Sequence, residues 1–349
     1  MRRRTVERIG VARANKAPSG GVLASLCLMV AGVAGGGLVL ARKPHRELRR
    51  ADLVALPPMR PGRGAIPLLP SPVVDAQGAN KAARRLNRAA GIIATSVLID
   101  SGMEHYRGAF ENKAMYTPIA VSALSILASL HGQQDRSERA HRARDAVYAM
   151  AGVTGLVGTG FHIHNITKRP GGICWQNLFY AAPLGAPAAI SLSGLVGFLS
   201  ERVRDNRPGT VPRVAGLPAG RVISALTGAG ILGTVAEAGL LHFRGAFHNP
   251  AMLLPVTVPP IGAAMLAAAA VGPAERPRRL TRWWLRFTAL LGVAGVGFHA
   301  IGVARNMGGW RNWTQNLQVG PPLPAPPAFT GLALAGLAAL GLLQDSPND

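Results

Sequence analysis

Imidazole rings recur in register along this chain. His-Tyr-Arg-Gly-Ala-Phe-Glu-Asn-Lys-Ala-Met, from His105 to Met115, returns as His-Phe-Arg-Gly-Ala-Phe-His-Asn-Pro-Ala-Met, from His242 to Met252. Gly-Phe-His at Gly160 to His162 returns at Gly297 to His299, and both pairs are separated by 137 positions, so they mark a tandem duplication. A carboxylate stands five residues before each first histidine, Asp100 before His105 and Glu237 before His242. Within an apolar helix such a group costs roughly 2.5–3.5 kcal/mol on insertion scales, so it faces protein and takes a partner. Arg107, Arg244 and the histidines are the nearest candidates. Neutral amides complete the set: Asn112 and Asn249 follow the first histidines, and Gln176-Asn177 returns as Gln315-Asn316 at an offset of 139. Glu104, His164 and His248 have no counterpart and read as peripheral.

The candidate ligand-binding residues are therefore Asp100, His105, Arg107, Asn112, His162, Gln176, Asn177, Glu237, His242, Arg244, Asn249, His299, Gln315 and Asn316. Asp100 and His105 diverge by roughly 140° on a helix, a poor chelate. His105 with His162, and His242 with His299, can instead meet across helices as axial haem ligands. Without Cys-x-x-Cys-His, such a haem is of the b type. A quinone head group suits the same donors, and the arginine forks and amides suit an anionic head group or carboxylate. The carboxylates also suit proton or cation handling in a transporter, and the amides suit polar glue between helix ends. No nucleotide-binding glycine loop, Gly-x-Ser-x-Gly or His-Glu-x-x-His is present, and Cys27 and Cys174 alone make no disulfide framework. No catalytic residue is identified.

What must position these side chains is a membrane bundle. Apolar blocks near Gly20–Leu40, Ala89–Glu104, Ala114–His131, Ala146–His164, Leu178–Leu199, Val222–Leu241, Ala251–Val271, Trp283–Val303 and Pro322–Leu343 approach or exceed the roughly 20 residues a spanning helix needs. The expected fold is an all-α integral membrane protein of about nine transmembrane helices: two tandem four-helix repeats in parallel orientation, plus one N-terminal hydrophobic segment. Residues 1–88 form a basic N-terminal region with that segment and a Pro-rich linker, 89–200 the first repeat, 201–221 a basic cytoplasmic linker and 222–349 the second repeat. Charge does not orient the first segment, which fits a retained helix, a removed signal-like stretch or an upstream extension of the reading frame. Gly155, Gly158 and Gly160 match Gly292, Gly295 and Gly297, a pattern of tight helix packing more than of room for a flat cofactor. Pro118 with Pro255, and Pro183 with Pro322, fall near the same ends of matched blocks.

A net charge of +22 would suggest nucleic acid in a soluble protein, but here the cations lie between apolar blocks. The loops Asp135–Asp145, Glu201–Arg221 and Pro273–Arg282 are richest in arginine and face the cytoplasm by the positive-inside rule. The repeated motifs then face outward and the C-terminus inward. Arginine outnumbers lysine and Ala, Gly and Pro abound, as in a GC-rich bacterial genome. Trp175, Trp310 and Trp313 read as interfacial belt residues. The expectation is a multi-pass inner-membrane protein, partnered by lipid and not by nucleic acid. Its outward polar cleft binds a small ligand or redox cofactor, haem b or quinone, and serves as the membrane partner of a periplasmic oxidoreductase. A secondary transporter and a structural scaffold are the alternatives.

Overall fold

The computed structural model describes residues 74–181, 183–273 and 278–343. The hydrophobic segment Gly20–Leu40 and most of the Pro-rich linker lie outside the described residues. Ten α-helices make up most of the described residues: α1 (Ala76–Arg107), α2 (Thr117–Gln134), α3 (Arg142–Thr167), α4 (Trp175–Tyr180), α5 (Gly185–Arg204), α6 (Ala219–Arg244), α7 (Leu254–Val271), α8 (Arg279–Arg305), α9 (Trp313–Val319) and α10 (Pro327–Gly341). Five helical stretches are long and apolar enough to cross a membrane: Lys113–Gln134, Arg142–Thr167, Ala219–Arg244, Pro250–Val271 and Arg279–Arg305. This makes the chain a helical membrane protein, with fewer qualifying spans among the described residues than the nine expected.

The difference has identifiable causes. α1 begins at Ala76 and not at Ala89, because the Asp75 carboxylate accepts from the Gly78 amide at 2.6 Å and caps it. Its first turns are amphipathic: Ala79, Ala82, Ala83 and Leu86 are buried, while Arg84 and Arg88 reach the Gln133 carbonyl and side chain at 2.6 and 2.9 Å. Arginines that end on a neighbouring helix belong to the bundle, although by hydropathy alone they read as linker. Prolines shorten the other two elements. The block Leu178–Leu199 breaks at Pro183 into α4 and α5, and the block Pro322–Leu343 yields only the 15-residue α10.

α1 packs on α2 and α5, α5 on α3, and α3 on α2, a closed ring with α1 and α3 at opposite corners. α6, α7, α8 and α10 repeat these contacts, with α6 and α8 at opposite corners. α10 also packs on α1, and α5 on α6, which joins the two rings. The repeated glycines serve packing. A Cβ on Gly155 would strike the Pro187 carbonyl and Ser191, and one on Gly292 would strike Thr330 and the Pro326 carbonyl. Ser191 Oγ donates to the Gly152 carbonyl at 3.0 Å, and Thr330 Oγ1 to that of Ala289 at 2.8 Å, so the same bond closes both approaches.

The two junctions between rings use one large and one small residue, exchanged. On α1 and α10 a Cβ at Gly331 would lie 2.6 Å from Ile93 Cγ1. On α6 and α5 the glycine is Gly230, the equivalent of Ile93, and the large partner is Leu192, the equivalent of Gly331, with a closest approach of 2.9 Å.

The basic link is not wholly helical or loop. β1 (Arg213–Val214) and β2 (Leu217–Pro218) form an antiparallel hairpin turned by Ala215 and Gly216, both at positive φ. Val74 bridges to Thr210 in the same region. α5 continues to Arg204, so Glu201, Arg202 and Arg204, expected in the linker, belong to the bundle.

Candidate functional site

The repeated His-x-Arg-Gly-Ala-Phe motif ends α1 and α6. The chain then turns sharply: Ala109 and Phe110 have φ of 52° and 49°, and Ala246 and Phe247 have 55° and 46°. Left-handed backbone costs a residue bearing a Cβ on the order of 1–2 kcal/mol, so two in succession, in both copies, are held by their surroundings. Asn112 and Asn249 set the far side of the turn, accepting from Ala114 and Ala251 amides at 2.9 Å each. The turn brings the Met115 carbonyl to His105 Nδ1 and the Met252 carbonyl to His242 Nδ1, both at 2.8 Å. Phe110 and Phe247 lie edge-on to the same rings, at 6.3 and 6.2 Å between centroids.

His162 on α3 and His299 on α8 are anchored in the same way. His162 Nδ1 meets the Pro183 carbonyl at 2.7 Å, and His299 Nδ1 meets that of Pro322 at 2.6 Å. Both acceptors are proline carbonyls, at positions that have no amide of their own to donate. A carbonyl only accepts, so all four Nδ1 atoms carry a proton, and the neutral form of each ring has its lone pair on Nε2. The His242 and His299 ring centres are 6.4 Å apart at 67°, and His105 lies within electrostatic reach of His162. All four rings are half-buried.

Asp100 and Glu237 occupy a different place, the junction between the rings of helices. Glu237 packs on Gly185 at the start of α5, where a Cβ would fall 2.8 Å from its Cγ and Cδ. Asp100 is within electrostatic reach of Glu104, Glu237 and Arg107. The expected pairing of Arg107 is corrected: its Nη1 donates to Glu104 Oε1 at 2.6 Å, across one helical turn of the exposed surface. Arg244 lies over the Phe179 ring at 5.0 Å and within reach of Glu237.

The amides divide by role. Asn177 Nδ2 donates to the Pro170 and Gly172 carbonyls at 3.0 and 2.6 Å, and Asn316 Nδ2 to those of Met307 and Gly309 at 3.1 and 2.8 Å. They tie the loop after α3 or α8 to the short helix that follows. Gln176 and Gln315 are exposed.

At the opposite helix ends lies a cluster that sequence reading passed over. Arg144 grips Glu201 with two bonds, Nε to Oε1 at 3.0 Å and Nη2 to Oε2 at 2.9 Å, and also donates to Asp135 at 2.8 Å. Arg204 donates to the Gly132, Asp135 and Ser137 carbonyls at 2.7, 3.0 and 2.9 Å. Tyr148 OH donates to Asn87 Oδ1 at 2.6 Å nearby. Arg144, Glu201 and Arg204 are all buried. Their equivalents in the second copy are Thr281, Leu340 and Leu343, and Tyr148 corresponds to Leu285. The three leucines sit in the apolar core. Aligning the copies beyond the motifs would have exposed this replacement of leucines by ions.

Among the described residues no group of three or more His, Cys, Asp or Glu side chains is placed to hold a metal ion. No protein-family model, curated protein or solved structure matches the chain.

Proposed function

We propose that this is a multi-pass inner-membrane protein of two parallel four-helix repeats, whose outward-facing polar end binds a small ligand or redox cofactor and partners a periplasmic oxidoreductase. One observation carries the reading. Four half-buried histidines, two from opposite corners of each ring of helices, are fixed by backbone carbonyls in a single tautomer. A packing role needs no such repeated orientation, whereas ligand sites in bundles are built from side chains on facing helices. The arginine-rich loops at the other end support a periplasmic side for the histidines, and four crossings per repeat would leave the C-terminus inside.

The direct test is purification of the wild type and the His105→Ala/His242→Ala variant from the same gently solubilised membranes. Absorption spectra and mass spectrometry of the organic extracts should find a pigment or quinone with the first and not the second. Identical extracts from two equally folded proteins would reject the reading.

A second reading, a transporter, draws on the nearness of Asp100 and Glu237 at the junction of the repeats. There a proton or cation would be carried while the repeats rock. In proteoliposomes, ion or solute uptake should then vanish in the Asp100→Asn/Glu237→Gln variant, and unchanged uptake would exclude those carboxylates.

A further inference from the structure

We infer that each ring of four helices holds one b-type haem between its two histidines, His105 with His162 and His242 with His299; this rests on the reading of the outward end as a ligand site. The donor count supports it first. Two rings and no third His, Cys, Asp or Glu ligand among the described residues are too few for a structural zinc centre, which takes four protein donors. They are the number an iron porphyrin asks of a protein, because the macrocycle supplies the other four nitrogens.

Orientation supports it next. A histidine that ligates through Nε2 donates its Nδ1 proton to an outer partner, which aligns the ring and raises its basicity. All four do so, to carbonyls at 2.6–2.8 Å. Two metal–nitrogen bonds of about 2 Å laid end to end place ring centres roughly 6 Å apart. His242 and His299 stand at 6.4 Å. The rings come from α1 and α3, or α6 and α8, facing helices at opposite corners of each bundle, the arrangement in which bundle ligands are held.

The ends of these helices also offer cations for a pair of carboxylate tails. Lys168 and Arg305 stand six residues past the second histidines, while Arg107, two past His105, is paired with Glu104 and Arg244, two past His242, lies over Phe179. Cys174 is the one cysteine among the described residues, so attachment is by the axial bonds alone.

The test is a haemin titration of the purified full chain in mild detergent, followed by spectra before and after dithionite. Two haemin per chain are expected, with the low-spin spectrum of iron between two imidazoles. His105→Ala/His162→Ala and His242→Ala/His299→Ala should each lower the stoichiometry from two to one, and all four changes together to none. Because alanine also removes the bonds to the carbonyls, each variant is examined by gel filtration. Added imidazole should restore the low-spin spectrum to the single variants His162→Ala and His299→Ala, which lose one ring only. A high-spin spectrum, or haemin uptake unaltered by the fourfold change, overturns the inference. If wild type refuses haemin but binds a soluble quinone in a histidine-dependent way, haem is rejected and the ligand site stands. If it binds neither, and membrane extracts yield no ligand, both are rejected.

Discussion

Glu201 holds the positive charges of Arg144 and Arg204 in a region closed to water, and its removal alone leaves both without their shared carboxylate. Breaking a buried ion pair from one side costs about 3–5 kcal/mol, while replacing the whole set by apolar residues is often neutral. Glu201→Leu should therefore destabilise the folded protein by that amount in denaturant titrations. The combined change Arg144→Thr, Tyr148→Leu, Glu201→Leu and Arg204→Leu, which copies the second repeat, should recover most of the loss. A combined variant as unstable as the single one would contradict this account. Asp135 gives the same cluster a pH dependence. Partial burial by itself raises its carboxyl, but the Ser137 amide, the Arg144 hydrogen bond and the charges of Arg144 and Arg204 prevail and hold it below the usual range. A group lowered on folding stabilises the fold above its unfolded value, about 3.9, and that stabilisation is lost as pH falls through the folded value. Melting curves below about pH 4 should be flatter for Asp135→Asn than for wild type, and parallel curves would remove Asp135 from the cause.

The paired junctions make a prediction about helices. Gly331 on α10 admits Ile93 of α1, while Gly230 on α6 admits Leu192 of α5. Gly331→Leu overfills the first junction and should cost about 1–3 kcal/mol. Adding Ile93→Gly recreates the order of the second junction and should return part of it, a favourable coupling in a double-mutant cycle. Strict additivity would mean the two residues do not share the space. Helices were legible from hydropathy where lipid or an apolar core surrounds them, as for α2, α3, α6, α7 and α8. They were poorly legible where protein surrounds them. α1 carries arginines whose partners are carbonyls of other helices, and α5 ends in ions buried against α3, so both departed from the apolar pattern that marked the rest.

At the scale of the whole chain, the recurring motifs were legible in the sequence, and the bonds the structure adds divide their residues by role. Asn112, Asn249, Asn177 and Asn316 recur to hold loops; His105, His162, His242 and His299 recur with the same carbonyl partners. That split was beyond the sequence, since an amide that clasps a loop and one that clasps a ligand are the same residue until the carbonyl is seen. Orientation is tested on whole cells. In a chain with Cys27 and Cys174 replaced by serine, Lys168→Cys should react with a maleimide that does not cross the inner membrane, and Arg139→Cys only after permeabilisation. The reverse pattern would place the histidines in the cytoplasm.

α10 touches α6 and α8 of its own repeat and α1 of the other. A nascent chain cut short before Pro327 would expose Ile93 and Ala89 to lipid, and with them the Arg85 side chain that reaches the Leu337 carbonyl. The Ile93 face of the first ring is therefore covered only once Pro327–Gly341 has been made, so the first four-helix ring depends on a helix of the second for its lining.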